Sequence, residues 1–181
     1  VLPVVLLTRT VLLGLTVLMP LWRALFGFAP LVLDHSNATG TILDVWNRWD
    51  TLWYDDLAQL GYNLHGPNDY KNVVFFPLYP LLTRALHDIL AFAGRDVLGV
   101  VSLGSAFPTY LVPGLIVANL CSLGALIFFY RLVRLDYGRA TARRAVTLLA
   151  LFPTAFFLVA AYSEGTFLLC AIALFYALRM E

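Results

Sequence analysis

The sequence predicts an all-α, polytopic transmembrane helical bundle, and three observations carry that prediction. Apolar residues make up 61% of the 181-residue chain and charged residues 13%, with mean hydropathy +0.81; a soluble domain is nearer about half and a quarter. The apolar residues come in long runs rather than in alternation, more than one soluble core takes up. The segments between the runs differ in sign: 34–71 carries six aspartates against Arg48 and Lys71, whereas 131–144 carries five arginines against Asp136.

The first run, from Leu2 to about Leu33, holds only Arg9 and Arg23. It exceeds the roughly 20 residues that cross a bilayer, so it reads as a long or tilted first span over about 2–33. An outer loop follows over about 34–106. Within it, Phe75 to about Gly94 is mixed: Pro77 and Pro80 open it, and Arg84, His87 and Asp88 interrupt the apolar residues. That pattern predicts an amphipathic helix in the interface or packed on the bundle. A second span is expected over about 107–132, with Pro108 and Pro113 near its start. The arginine-rich segment "RLVRLDYGRATARR" then belongs in the cytoplasm by the positive-inside rule, which puts the acidic loop outside. Arg9 agrees with a cytoplasmic N-terminus.

From Ala145 to Leu178 Glu164 is the single charge. Two short spans, about 145–162 and 165–179, turning at "YSEG", keep Glu164 out of hydrocarbon, where a carboxylate costs a few kcal/mol. The expected topology has about four spans and both ends inside. The chain starts without Met and stops abruptly at Arg179-Met180-Glu181, so it reads as a single, incomplete domain over 1–181, inactive on its own. Cys121 and Cys170 fall inside apolar runs and read as small buried hydrophobes. No ligand cluster marks a metal or cofactor site, and no basic tract points to nucleic acid; the partners implied by composition are membrane lipids.

Between the first two runs stands "WNRWDTLWYDDLAQLGY", residues 46–62. Trp46, Trp49, Trp53, Leu57 and Leu60 are spaced 3, 4, 4 and 3, one face of a single helix, which predicts an interfacial anchor. Asp50 falls at the edge of that stripe, followed along it by Tyr54. A carboxylate there can take a proton from a polar group while facing a lipid-borne substrate. Asp55 points away from the stripe and, with Asp56, reads as a solvated charge.

Three motifs in order, "WDTLWYDDLAQLGY" (49–62), "VVFFPLYPLL" (73–82) and "FPTAFFLVAAYSEGTFLL" (152–169), resemble the PIG-V-type mannosyltransferases and their bacterial relatives. Gly165 stands where that family usually has Ser after the Glu. The resemblance implies a GT-C fold and inverting transfer of mannose from a polyprenyl- or dolichyl-phosphate-mannose donor to a lipid or glycan acceptor. The reaction would face the extracytoplasmic side of a bacterial plasma membrane or the lumen of the endoplasmic reticulum. It carries Asp50 over as the general base on the acceptor hydroxyl, with Trp49 and Tyr54 beside it. A leaving phosphate needs positive partners, and Arg48, Lys71, Arg84 and His87 are the outer-side candidates. Tyr79, Tyr162 and Glu164 are candidates for contacting sugar hydroxyls. A transporter segment and a non-catalytic membrane subunit are the competing readings. Against transport, the functional-looking charges lie at span ends, with Asn119 the main polar group deep inside one.

Overall fold

The structure, a computed structural model, describes residues 1–26, 42–62, 72–97 and 110–181. The described residues are helical, without strands: α1 (Leu2–Phe26), α2 (Asp50–Leu60), α3 (Leu78–Val97), α4 (Leu111–Leu151) and α5 (Glu164–Met180), with 3-10 turns at Ile42–Trp46, Asn72–Val74 and Pro153–Leu158. Two of these helices are long and apolar enough to cross a membrane. One is α1, over Leu2–Met19 at mean hydropathy 2.0; the other is α4, at 2.1.

Side-chain contacts fix the direction of each pass. Val5 of α1 packs with Leu126, Val146 and Ala150, while Thr16, further along, meets Trp46 at the other end. Along α5, Gly165 abuts Ala118, Gly124 of α4 abuts Leu169, and Phe128 meets Tyr176. Asp136 binds Arg179 at 2.9 Å, so α5 runs parallel to the first arm of α4. The segment between them returns antiparallel, with Val146 beside Leu126 and Ala161 beside Gly114. Among the described residues, α1, the two arms of α4 and α5 therefore make four passes along one another. One end collects α2, Tyr110 and Glu164; the other collects Asp136, Arg179 and the exposed arginines 131, 134, 139, 143 and 144.

Two chain breaks shape these passes. Gly138 sits at φ 77, ψ 176 inside α4, a region open essentially to glycine alone, and it turns the helix at the arginine-rich pole. The third pass is helical only to Leu151. Pro153 crowds its predecessor out of the α region, and Phe152 is accordingly extended at φ −60, ψ 141. A 3-10 turn and an irregular stretch carry the chain on to Ser163 in place of continuous helix.

At the α2 pole, α3 packs against α2 and against the start of α4. Tyr79 is buried against Tyr54 and Gly114, and the His87 ring lies 4.2 Å from that of Tyr110. Pro80 falls in the first turn of α3, where a missing N–H breaks no helical bond. Leu78, Leu81, Ile89 and Phe92 are exposed and fall within about 80° of one another on the opposite side of α3. The helix is thus apolar toward the bundle and apolar away from it, with Arg84 and Asp88 between. Of the two cysteines, Cys170 is exposed rather than buried, on α5.

Candidate active site

The segment 46–62 is not one helix. Trp46 ends a 3-10 turn, Trp49 adopts φ 48, ψ −121, and α2 begins only at Asp50. The stripe drawn by spacing is therefore split. Trp46 turns inward and its Nε1–H donates to Thr16 Oγ1 of α1 at 3.0 Å. Leu57 is buried, whereas Trp49 is 71% and Leu60 75% exposed. The left-handed φ at Trp49 is strained for any residue with a Cβ, at about 1–3 kcal/mol, and it makes the sharp corner on which Asp50 is presented to solvent. Thr51 secures the corner by donating its hydroxyl to the Trp46 carbonyl at 3.1 Å.

Two hydroxyls tie this corner to the turn before α5. Tyr162 donates to the Arg48 carbonyl at 3.1 Å, and Tyr54 Oη lies 2.6 Å from Ser163 Oγ. The turn brings Glu164 into the electrostatic field of Asp50. Burial lifts the Glu164 carboxyl above its usual range, and the Asp50 charge lifts it further. Burial likewise raises the Tyr54 hydroxyl, and the Ser163 bond partly offsets the shift.

Beside the corner opens a mostly apolar cavity of about 420 Å³ between α1 and the third pass. Leu12, Leu15, Met19 and Phe156 form its apolar wall, while Arg48, Trp49 and Tyr162 stand at the Asp50 end.

Sequence reasoning named Asp50, Arg48, Trp49, Tyr54, Tyr162 and Glu164, and the fold brings all six to this corner. Tyr79 lies beneath it, 1% exposed, its ring edge-on to Tyr54 at 4.9 Å. Arg84 and His87 face elsewhere: their partners are Asp88, at 4.0 and 3.1 Å, and the Tyr110 ring. Lys71 lies outside the described residues. Among those described, no three His, Cys, Asp or Glu side chains gather as a metal site would require.

Asp55 corrects the sequence reading most sharply. It is 6% exposed rather than solvated, and Oδ1 accepts the Tyr110 backbone N–H at 2.8 Å. Tyr110 is the N-cap of α4, where unpaired N–H groups and the helix dipole favour a negative group. Even so, burial outweighs that bond and raises the Asp55 carboxyl above its ordinary 3.8.

The motifs also bind one another. Gly61 ends α2 at φ 80, ψ −167, a conformation that essentially only glycine adopts. The Gly61 carbonyl then accepts from Asn72 Nδ2 at 3.3 Å, and the Tyr62 hydroxyl donates to the Phe75 carbonyl. Gly-Tyr and Phe-Phe-Pro thus form one staple that fixes the far end of α2.

The family model of the mannosyltransferases (PIG-V) matches residues 5–181. The chain belongs to that family. No curated protein and no solved structure matches it. Membership in the mannosyltransferase (PIG-V) family supports a glycosyltransferase with a sugar donor and a glycan or lipid acceptor. Together with two helices able to cross a membrane, it points to a membrane protein.

Proposed function

We propose that this protein transfers mannose from a polyprenyl-phosphate-mannose donor to a lipid-linked or glycan hydroxyl, on the extracytoplasmic or luminal side, with inversion. The arrangement that carries the reading is the strained corner at Trp49, which with Arg48 and Tyr162 lines an otherwise apolar cavity and is followed directly by the exposed Asp50. Asp50 removes the proton from the acceptor hydroxyl as its oxygen bonds to the anomeric carbon. The bond from that carbon to the phosphate oxygen breaks, and the electron pair leaves with the polyprenyl phosphate. Arg48 is the cation that lines the cavity, so the leaving phosphate falls to it rather than to Arg84 or His87. The exposed Trp49 ring gives a sugar an apolar face to lie on. Glu164, on the far side of the corner, binds donor or acceptor hydroxyls. On this reading the four passes are membrane spans, with the α2 pole outside.

The test uses the full-length protein in membranes, supplied with labelled polyprenyl-phosphate-mannose. A positioned general base contributes about 10²–10⁴-fold, so Asp50→Asn lowers transfer by at least about 100-fold with protein level unchanged. Equal transfer by wild type and Asp50→Asn removes Asp50 from the chemistry. Failure of the wild type with mannose, glucose and arabinose carriers alike removes the donor class.

A further inference from the structure

By its place in the sequence Arg9 is expected to be a flanking charge at the cytoplasmic end of the first span. Its guanidinium instead lies inside the bundle. Nε–H donates to Asn119 Oδ1 at 3.0 Å, while Nη2 donates to Ser122 Oγ at 2.6 Å and to the Leu158 carbonyl at 3.3 Å. Nη1 reaches Thr8 Oγ1 at 3.3 Å. Among the described residues no carboxylate pairs with it. Asn119 stands nine residues into α4 from Tyr110, about 13 Å from the site pole. A charge at that depth is costly and is not retained by solvation.

The bonds show what the charge does. The break at Phe152 and Pro153 interrupts the α-helical ladder of the third pass, and two carbonyls beyond it accept from side chains across the bundle. Leu158 O accepts from Arg9, and Val159 O accepts from Asn119 Nδ2 at 2.9 Å. Asn119 is itself held by Arg9 through Oδ1, and Ser122 is held by donating to Asn119 O at 3.0 Å. One guanidinium fork therefore pins α1, α4 and the broken pass at one level. Three residues beyond Val159 the chain reaches Tyr162, then Ser163 and Glu164, the turn bonded to Arg48 and Tyr54.

We infer that Arg9, acting through Asn119, is the positioning residue that holds the 158–164 turn against the Asp50 corner. It touches no reacting atom. Its place in the reaction rests on the function proposed above, whereas its hold on the turn does not.

The experiment reads the two separately. Ser163→Cys is introduced into the full-length protein with Cys121 and Cys170 replaced by Ala, and its rate of modification by a water-soluble maleimide is measured in detergent. Tyr137→Cys, at the opposite pole, serves as control. Adding Arg9→Lys keeps a cation but loses the planar fork; Asn119→Asp gives Arg9 a carboxylate but takes the donor from Val159 O. Each is expected to raise the rate at position 163 at least tenfold and leave position 137 unchanged. In the protein with native Ser163, the same two changes lower mannose transfer at least tenfold in kcat. An unchanged rate at 163 in folded Asn119→Asp overturns the inference, since a residue serving only to neutralise or stabilise would be content with that pair. A raised rate together with full transfer by Asp50→Asn leaves the clamp standing and removes the catalytic reading instead.

Discussion

Asp50 and Asp55 are five residues apart in one short helix, yet their environments are opposite. Asp50 is exposed at a strained corner, and Asp55 is buried under the head of α4. The spacing of the tryptophans places Asp50 at the edge of a helical stripe, but the helix does not reach back through Trp49, whose φ of 48 ends it there. Asp50 stands at the corner all the same, as the first residue of α2. Nothing in the sequence marked Asp55, because its partner is a backbone N–H 55 residues away. Its burial has a consequence for stability. A carboxyl lifted above 3.8 in the folded state holds its proton more tightly there than in the unfolded chain. Its contribution is thus most favourable below pH 3.8, declines as pH rises through the lifted value, and then levels off. Asp55→Asn keeps an acceptor for Tyr110 and removes the titration. In detergent, the melting temperature of the variant relative to wild type is expected to climb across that window and plateau above it. A constant difference would mean that Asp55 is solvated after all.

Among the elements, Gly-Tyr at the end of an amphipathic run is a local signal, and α2 ends there. The break at Pro153 instead falls inside the span expected over about 145–162, where the length of the apolar run hides it. How closely two helices approach is not local. At Gly165 an added Cβ would lie 2.7 Å from the Ala118 carbonyl oxygen and 3.3 Å from the Ser122 nitrogen, both backbone atoms. Gly165→Ala must therefore push α5 off α4, at about 1–3 kcal/mol, and Gly165→Ser must do the same. At Gly61 there is open space, and only the backbone conformation objects; Gly61→Ala costs about 1–3 kcal/mol as strain. Thermal melts separate the two causes. Substitution of Ala118, whose carbonyl is main chain, cannot relieve Gly165→Ala. Gly61→Asn should be no better than Gly61→Ala, because ψ −167 lies outside the left-handed helical region that asparagine tolerates. Arg9 belongs to the same lesson. Its apolar neighbours along α1 gave it the look of a flanking charge, and its partners are 110 and 113 residues away.

Across the whole molecule, charge is sorted by pole, and that sorting can be checked without any substrate. Asp50, Asp55, Asp56 and Glu164 gather where α2 meets the turn before α5, and the five arginines of 131–144 gather where α4 bends at Gly138. The sequence expressed this as opposite net charge in two loops, and the direction of packing along α4 and α5 is consistent with it. Removing Arg9 from the count of flanking charges leaves the arginine-rich bend to set orientation, which it can do because short loops dominate the positive-inside rule. Leu60 and Tyr137 report on the two poles, being 75% and 71% exposed. In sealed cells carrying the full-length protein without Cys121 and Cys170, Leu60→Cys is expected to react with a membrane-impermeant maleimide added outside. Tyr137→Cys should react only after the membrane is opened. The reverse pattern would turn the molecule over and put Asp50 on the cytoplasmic side. Labelling of both from outside would mean that the passes between them do not separate two compartments, and the four-span reading would fall with it.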